Sequence, residues 1–201
     1  MPDVETPHGP ARVHLRPVEG PVAGLVLGHG AAGGVGTTDL VAATEVANQH
    51  RVAVALVEQP YVVAGRRSPA PAKQLDAAWL AVMEQLGNDQ LAGLPLIAGG
   101  RSAGARVACR TAAAVEAVAV LCLAFPVHPP GKGDDPSKSR MLELEAVEVP
   151  VLVVQGDSDP FGMPVEGPGR TVVKVPGSHS FKDADPVAAA VADWLPAVVS
   201  G

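Results

Sequence analysis

The sequence predicts an α/β protein: one mainly parallel sheet of about seven strands, flanked by helices. Three observations predict it. Short apolar runs alternate along the chain with longer segments of helical periodicity. Apolar residues make up 47% of the chain but aromatic ones only 3%, so the core is built from Val, Leu and Ala, as suits a sheet covered on both faces. Several strand candidates end in Gly-rich loops, where open sheets of this class place their ligands.

In chain order, the first strands are read at Ala11–Val18 and Gly24–Leu27, followed by a helix at Thr38–Gln49 and a strand at Arg51–Val57. A helix over Ala72–Gln85 has the clearest period. Leu75, Ala78, Trp79, Val82, Met83 and Leu86 fall on one face, which makes Trp79 a core residue. Leu94–Ala98 is a short buried strand and Ala103–Ala114 an Ala-rich helix. A strand at Ala117–Ala124 leads into a polar stretch, Pro126–Arg140, loaded with Pro, Gly, Lys and Asp. Strands at Pro150–Gln155 and Thr171–Val175 follow. The last helix, Pro186–Val199, opens on Asp185-Pro186, a helix-start signal. With 201 residues, no internal repeat and no dividing linker, residues 1–201 are read as a single domain.

Composition excludes several classes. The net charge is −6 and the fifteen Lys and Arg are scattered, which argues against a nucleic-acid footprint. No apolar run approaches a membrane span, and residues 1–10 carry no charged-then-apolar signal pattern. Cys109 and Cys122 read as buried thiols rather than a bridge, which fits the cytoplasm. No metal and no cofactor are expected, since neither Cys has ligand spacing and His29, His128 and His179 have no spacing signature.

Between the strand at Leu94 and the helix at Ala103 stands Gly100-Arg101-Ser102-Ala103-Gly104, a G-x-S-x-G. In that setting the pattern is a nucleophile elbow. The reversal is so sharp that the serine takes a strained backbone, and residues two positions away need almost no side chain. The alternative is a Gly-rich turn whose serine caps the helix. A serine attacks only if a base takes its proton and a third group orients the base. Downstream, the strand at Pro150 ends in Gly156-Asp157-Ser158-Asp159, and the strand at Thr171 is followed by Gly177-Ser178-His179. Acid and base thus follow the serine, in that order, each at a strand end. Asp159 is read as the acid, because Asp157 directly follows the strand's last glycine and organises the turn. The oxyanion of a tetrahedral intermediate needs two N–H donors. Ala103 supplies one, and Ala31, or Ala32 beside it, supplies the other from the loop Gly28-His29-Gly30-Ala31-Ala32-Gly33.

That loop also matches G-x-G-x-x-G, so a dinucleotide site is a rival. Gly33-Gly34-Val35-Gly36 prolongs the loop, however, and Glu58 lies further on than the roughly 20 residues usual for that fingerprint. Possible substrate-lining residues are His29, Arg101 and His128. His29 more simply shapes the oxyanion turn. Arg101 either meets a substrate carboxylate or makes a structural salt bridge, and His128 packs its loop or lines the pocket. Arg106 is read as an ion-pair partner. The Pro126–Arg140 stretch is too short for a helical cap, so the site is expected to be an open cleft.

With these residues assembled, the chain resembles an α/β-hydrolase of a small family. Its members include bacterial proteins, a testis-expressed vertebrate protein and a hydrolase-like subunit of a nuclear histone-acetyltransferase complex. The resemblance rests on Leu27-Gly28-His29-Gly30-Ala31, on Gly99 to Ala108 and on Phe125 to Lys132. It continues through Val153 to Gly162 and Gly177 to Phe181. It implies an α/β-hydrolase fold without a cap domain and a triad of Ser102, Asp159 and His179. Wider relatives include dienelactone hydrolases and carboxylesterases, so it implies hydrolysis of a small ester or related acyl compound. One relative is a complex subunit, which leaves a non-catalytic binding or scaffold module as the alternative. Oligomeric state is not read from the sequence.

Overall fold

The chain is described over residues 3–200 by a computed structural model. Eight strands form one sheet: Asp3–Val4 (β1), Ala11–Arg16 (β2), Ala23–Gly28 (β3), Val52–Glu58 (β4), Leu96–Arg101 (β5), Ala119–Leu123 (β6), Val151–Gly156 (β7) and Arg170–Val175 (β8). Their order is β1-β2-β4-β3-β5-β6-β7-β8, with β1 and β2 antiparallel to their neighbours and every other pair parallel. The seven expected strands all form. The eighth is β1, whose two residues are too few to leave a periodicity in the sequence.

The pleat sorts the core into two layers. Leu25, Leu27, Leu121, Leu123, Leu152 and Val154 face one side. Helices α1 (Thr38–Gln49) and α6 (Asp185–Val199) cover them with Leu40, Val46, Val187, Val191 and Leu195. Val26, Ala98, Val120, Cys122 and Val153 face the other side, under α3 (Ala72–Asn88) and α4 (Ala103–Thr111). Trp79 of α3 is wholly buried there, as its spacing requires. Each fully buried Leu or Val contributes about 1.5–3 kcal/mol, so both helical layers are held firmly to the sheet.

Several boundaries differ from the sequence reading. Helix α3 runs through Gly87 to Asn88, because Leu86 is buried and the chain turns only where Leu91 N–H reaches Leu86 O. Helix α4 stops at Thr111, short of the expected Ala114, ahead of a left-handed Glu116 (φ 51°). Strand β5 extends to Arg101, which confines the reversal to Ser102. Short helices at Pro60–Val63 (α2) and Met141–Glu145 (α5), and a 3₁₀ turn at Pro136–Lys138, lie outside the sequence reading. Nothing between β6 and β7 is large enough to cap the sheet.

Chain order places β4 on one side of β3 and β5 on the other. The crevice at their carboxyl ends, where the order reverses, is where open α/β sheets bind ligands.

Candidate active site

Ser102 sits between β5 and α4 with φ 52° and ψ −107°, a backbone that L-residues rarely adopt. Its N–H donates to Leu123 O at 2.8 Å, which ties the turn to β6. Its hydroxyl caps no helix. The capping alternative therefore fails. The reversal is possible because three glycines meet: a Cβ on Gly100 would lie 2.6 Å from Gly28 O, and one on Gly104 would collide with the Gly28 carbonyl. Helix α4 thus rests directly on the end of β3, and its first N–H groups face the crevice.

Three side chains from three strand ends converge there. His179 Nε2 lies 2.9 Å from Ser102 Oγ, and His179 Nδ1 lies 2.9 Å from Asp159 Oδ2. The Asp159 side chain is fully buried. It also accepts Phe161 N–H at 2.8 Å on Oδ1 and Gln155 Nε2–H at 2.8 Å on Oδ2. Three donors on one carboxylate hold it in a single orientation. With Oδ2 as acceptor, His179 carries its proton on Nδ1, and Nε2 is left to accept from the serine. Phe161 packs against the imidazole, ring centroids 4.2 Å apart. Asp157 does not join the group. Its Oδ1 accepts Gly177 N–H at 3.2 Å and shapes the turn.

Gln155 was missed by the sequence reading. It is completely buried at the end of β7, and its Nε2 also donates to Phe125 O (3.1 Å) and Gly162 O (2.9 Å). The signal was there: a lone amide inside Val-Leu-Val-Val-Gln-Gly has no place in a core strand without a partner.

On the opposite wall, Ala31, Ala32 and Ala103 border the crevice beside Ser102. Among the described residues the N–H groups of Ala31 and Ala103 have no acceptor. Behind them His29 is buried, accepting Gln59 N–H on Nε2 (3.0 Å) and donating Nδ1–H to Gly30 O (2.7 Å). Burial lowers its pKa below the ordinary 6.5, against the raising effects of the Gly30 bond and Glu58. Tyr61 Oη–H donates to Ala31 O at 2.9 Å and fixes the same loop; burial pushes its pKa up to about 12. His29 therefore does not line the cleft, a correction to its reading as a lining residue. Its ring points into the protein because two backbone groups need it.

His128 is corrected likewise. Its Nδ1 meets Pro129 O at 2.9 Å, and its ring packs between Gly133 and Gly162, outside the lining of the cleft. Arg101 borders the cleft, with Nε in a salt bridge to buried Asp39 (3.2 Å) and Nη2 donating to His179 O (2.9 Å) and Ser180 Oγ (3.0 Å). It is the structural salt bridge of its two readings, and it also braces the His179 loop. Cys109 and Cys122 are buried with their sulfurs 3.5 Å apart. The crevice itself is an open cleft of about 530 Å³ running from Ser102 past Leu75, Pro126, Pro130 and Phe161.

The family model of the alpha/beta hydrolase domain matches residues 21–185. No curated protein matches the sequence. Among solved structures, a serine hydrolase without lid from Xanthomonas campestris is 21% identical, covering 97% of this chain and 92% of that one, with TM-score 0.76. Est1E from Butyrivibrio proteoclasticus, bound to ferulic acid, is 17% identical over 100% of both chains, with TM-score 0.79. A dienelactone hydrolase from Anabaena variabilis is 16% identical over 97% of this chain and 95% of that one, with TM-score 0.74. At these identities the likeness is one of fold. Among the described residues no helix is long and apolar enough to cross a membrane.

Proposed function

The chain belongs to the alpha/beta hydrolase domain family, and from that premise we propose that it is a serine hydrolase of small esters or thioesters. The observation that carries this reading is the relay Ser102–His179–Asp159, two contacts of 2.9 Å ending on a buried carboxylate, with the serine on a strained turn. Such a relay is suited to making a hydroxyl nucleophilic at neutral pH.

His179 Nε2 takes the Ser102 proton as Oγ attacks the acyl carbon. Asp159, accepting Nδ1–H, stabilises the imidazolium. The N–H groups of Ala31 and Ala103 receive the oxyanion, at no cost in reorganisation because backbone packing already fixes them. The imidazolium then gives its proton to the leaving oxygen or sulfur, and the tetrahedral intermediate collapses to an acyl-enzyme. Water, deprotonated by the same imidazole, releases the acid. Because no cap covers the cleft, long acyl chains find little apolar wall. Each further methylene gains about 0.8 kcal/mol only when it is buried, so compact acyl groups are the expected substrates.

The test is labelling with a fluorophosphonate followed by mapping of the modified residue. Modification at Ser102, abolished together with ester turnover in Ser102→Ala, is the expected result. A folded protein that takes no label would instead leave a binding module built on the same frame.

A further inference from the structure

Four arginines border the cleft that holds Ser102, namely Arg101, Arg106, Arg110 and Arg140, and no Asp or Glu does. That wall belongs to a chain whose net charge is −6. The acids that balance it stand behind the arginines. Asp39 pairs with Arg101. Asp76 takes Arg110 in a two-pronged contact, and Glu143 takes both Arg106 and Arg110. Arg140 is left over. No carboxylate lies within salt-bridge distance of its guanidinium among the described residues, and the one acceptor on its side chain is Pro126 O, a long 3.4 Å from Nη1. It is held half-buried at the mouth of a short helix by Arg140 N–H to Val127 O (2.7 Å). Burial lowers its pKa and repulsion from Arg106 adds to this, against the pull of Glu143.

A half-buried cation with free planar donors, crowded by two other cations, is an electrostatic debt that a bound anion settles. It faces the same cleft as the serine. We infer that the substrate carries an anionic group, such as a carboxylate, and that Arg140 is the residue that receives it. The inference rests on the hydrolase reading above and gives its cleft a substrate class: compact esters or thioesters with a negative charge on the acyl or on the leaving side. Arg106 and Arg110 set the field without making the contact, since Glu143 and Asp76 already engage them.

Two ester pairs test this. Mono-4-nitrophenyl adipate is compared with 4-nitrophenyl hexanoate for charge on the acyl side, and 4-acetoxybenzoate with its methyl ester for charge on the leaving side. The readout is the ratio of kcat/KM, anionic over neutral, in wild type, Arg140→Gln and Arg140→Lys at low salt. In at least one pair the wild-type ratio should exceed one and fall roughly tenfold to a hundredfold in Arg140→Gln, the worth of a charge-assisted hydrogen bond. Arg140→Lys should keep part of the preference, and added salt should erode it in wild type. The pair that responds tells which side of the ester carries the charge. Neutral esters turned over with no anionic preference in either pair, or a preference untouched by Arg140→Gln, would overturn the inference while leaving the hydrolase reading intact. If wild type turns over none of the four and takes no fluorophosphonate, the hydrolase reading falls and this inference with it.

Discussion

At the ends of β3 and β5 the site is positioned by what is missing, whereas at the ends of β7 and β8 it is positioned by what is bonded. Gly28, Gly100 and Gly104 let two strands and a helix touch through their backbones, and a Cβ on Gly100 or Gly104 would collide with the Gly28 carbonyl. Gln155, Asp159 and His179 instead reach one another through side-chain hydrogen bonds of 2.8 to 2.9 Å. Steric contact contributes on that side as well, most of all at Gly156, where a Cβ would collide with the Ser178 and Gly177 carbonyls. The two modes of support fail differently. Steric exclusion has no partial state, so a small substitution moves whole elements. A hydrogen-bonded array loses its members one at a time and keeps its fold.

The sharpest probe of the bonded half is the acid. Asp159→Asn should lower kcat by about 10⁴ by leaving the imidazole in the wrong tautomer, with melting little changed. Asp157→Asn, which disturbs only a turn contact, should cost stability and little turnover. Equal losses of kcat in the two variants would break the distinction.

Next in size are two substitutions that oppose the halves directly. Gln155→Leu removes one donor to Asp159 and should lower kcat roughly tenfold to a hundredfold with KM nearly constant. Gly104→Ala forces α4 off β3, and its first effect should be a stability loss of about 1–3 kcal/mol or more. Denaturant melts beside steady-state kinetics separate the outcomes. A stable Gly104→Ala enzyme would mean that the elbow relaxes more easily than its packing implies.

The smallest effect is a pH dependence on the glycine side. His29 is buried and neutral, with its folded pKa below the unfolded 6.5. Its contribution to stability is therefore complete above pH 6.5. Below that the unfolded chain binds a proton that the folded chain refuses, and stability falls, by about 1.4 kcal/mol per pH unit at most. Urea midpoints from pH 7.5 to 5.5 should show a shallower slope in His29→Gln than in wild type. Parallel slopes would remove His29 from the account.

The same contrast explains what the sequence made legible. Exclusion demands a residue type, so the glycines around Ser102 announce the turn wherever they fall between a strand and a helix. Asp159 and His179 were readable because each closes a strand. Bonded partners are less constrained by type, and their pairing spans distances along the chain that no local pattern records: Arg106 meets Glu143, and Arg101 meets Asp39, across long separations. Arg140 looked like the polar end of a loop, since its importance lies in the other arginines it stands beside. His29 and His128 show the converse. Their strand-end positions suggested the cleft, but nearby backbone groups claim both rings. Gln155 is the one miss that carried its own signal.

The hydrogen bond from Ser102 N–H to Leu123 O makes the Ser102 peptide a rung of the central sheet. Local opening of a folded protein removes loops before it removes such rungs. The segments bearing Asp159 and His179 can therefore fray and reclose while the serine stays at its post. Warming should then loosen the Asp159 and His179 segments first, reversibly, and destroy the protein only at the higher temperature where the ladder between β5 and β6 parts.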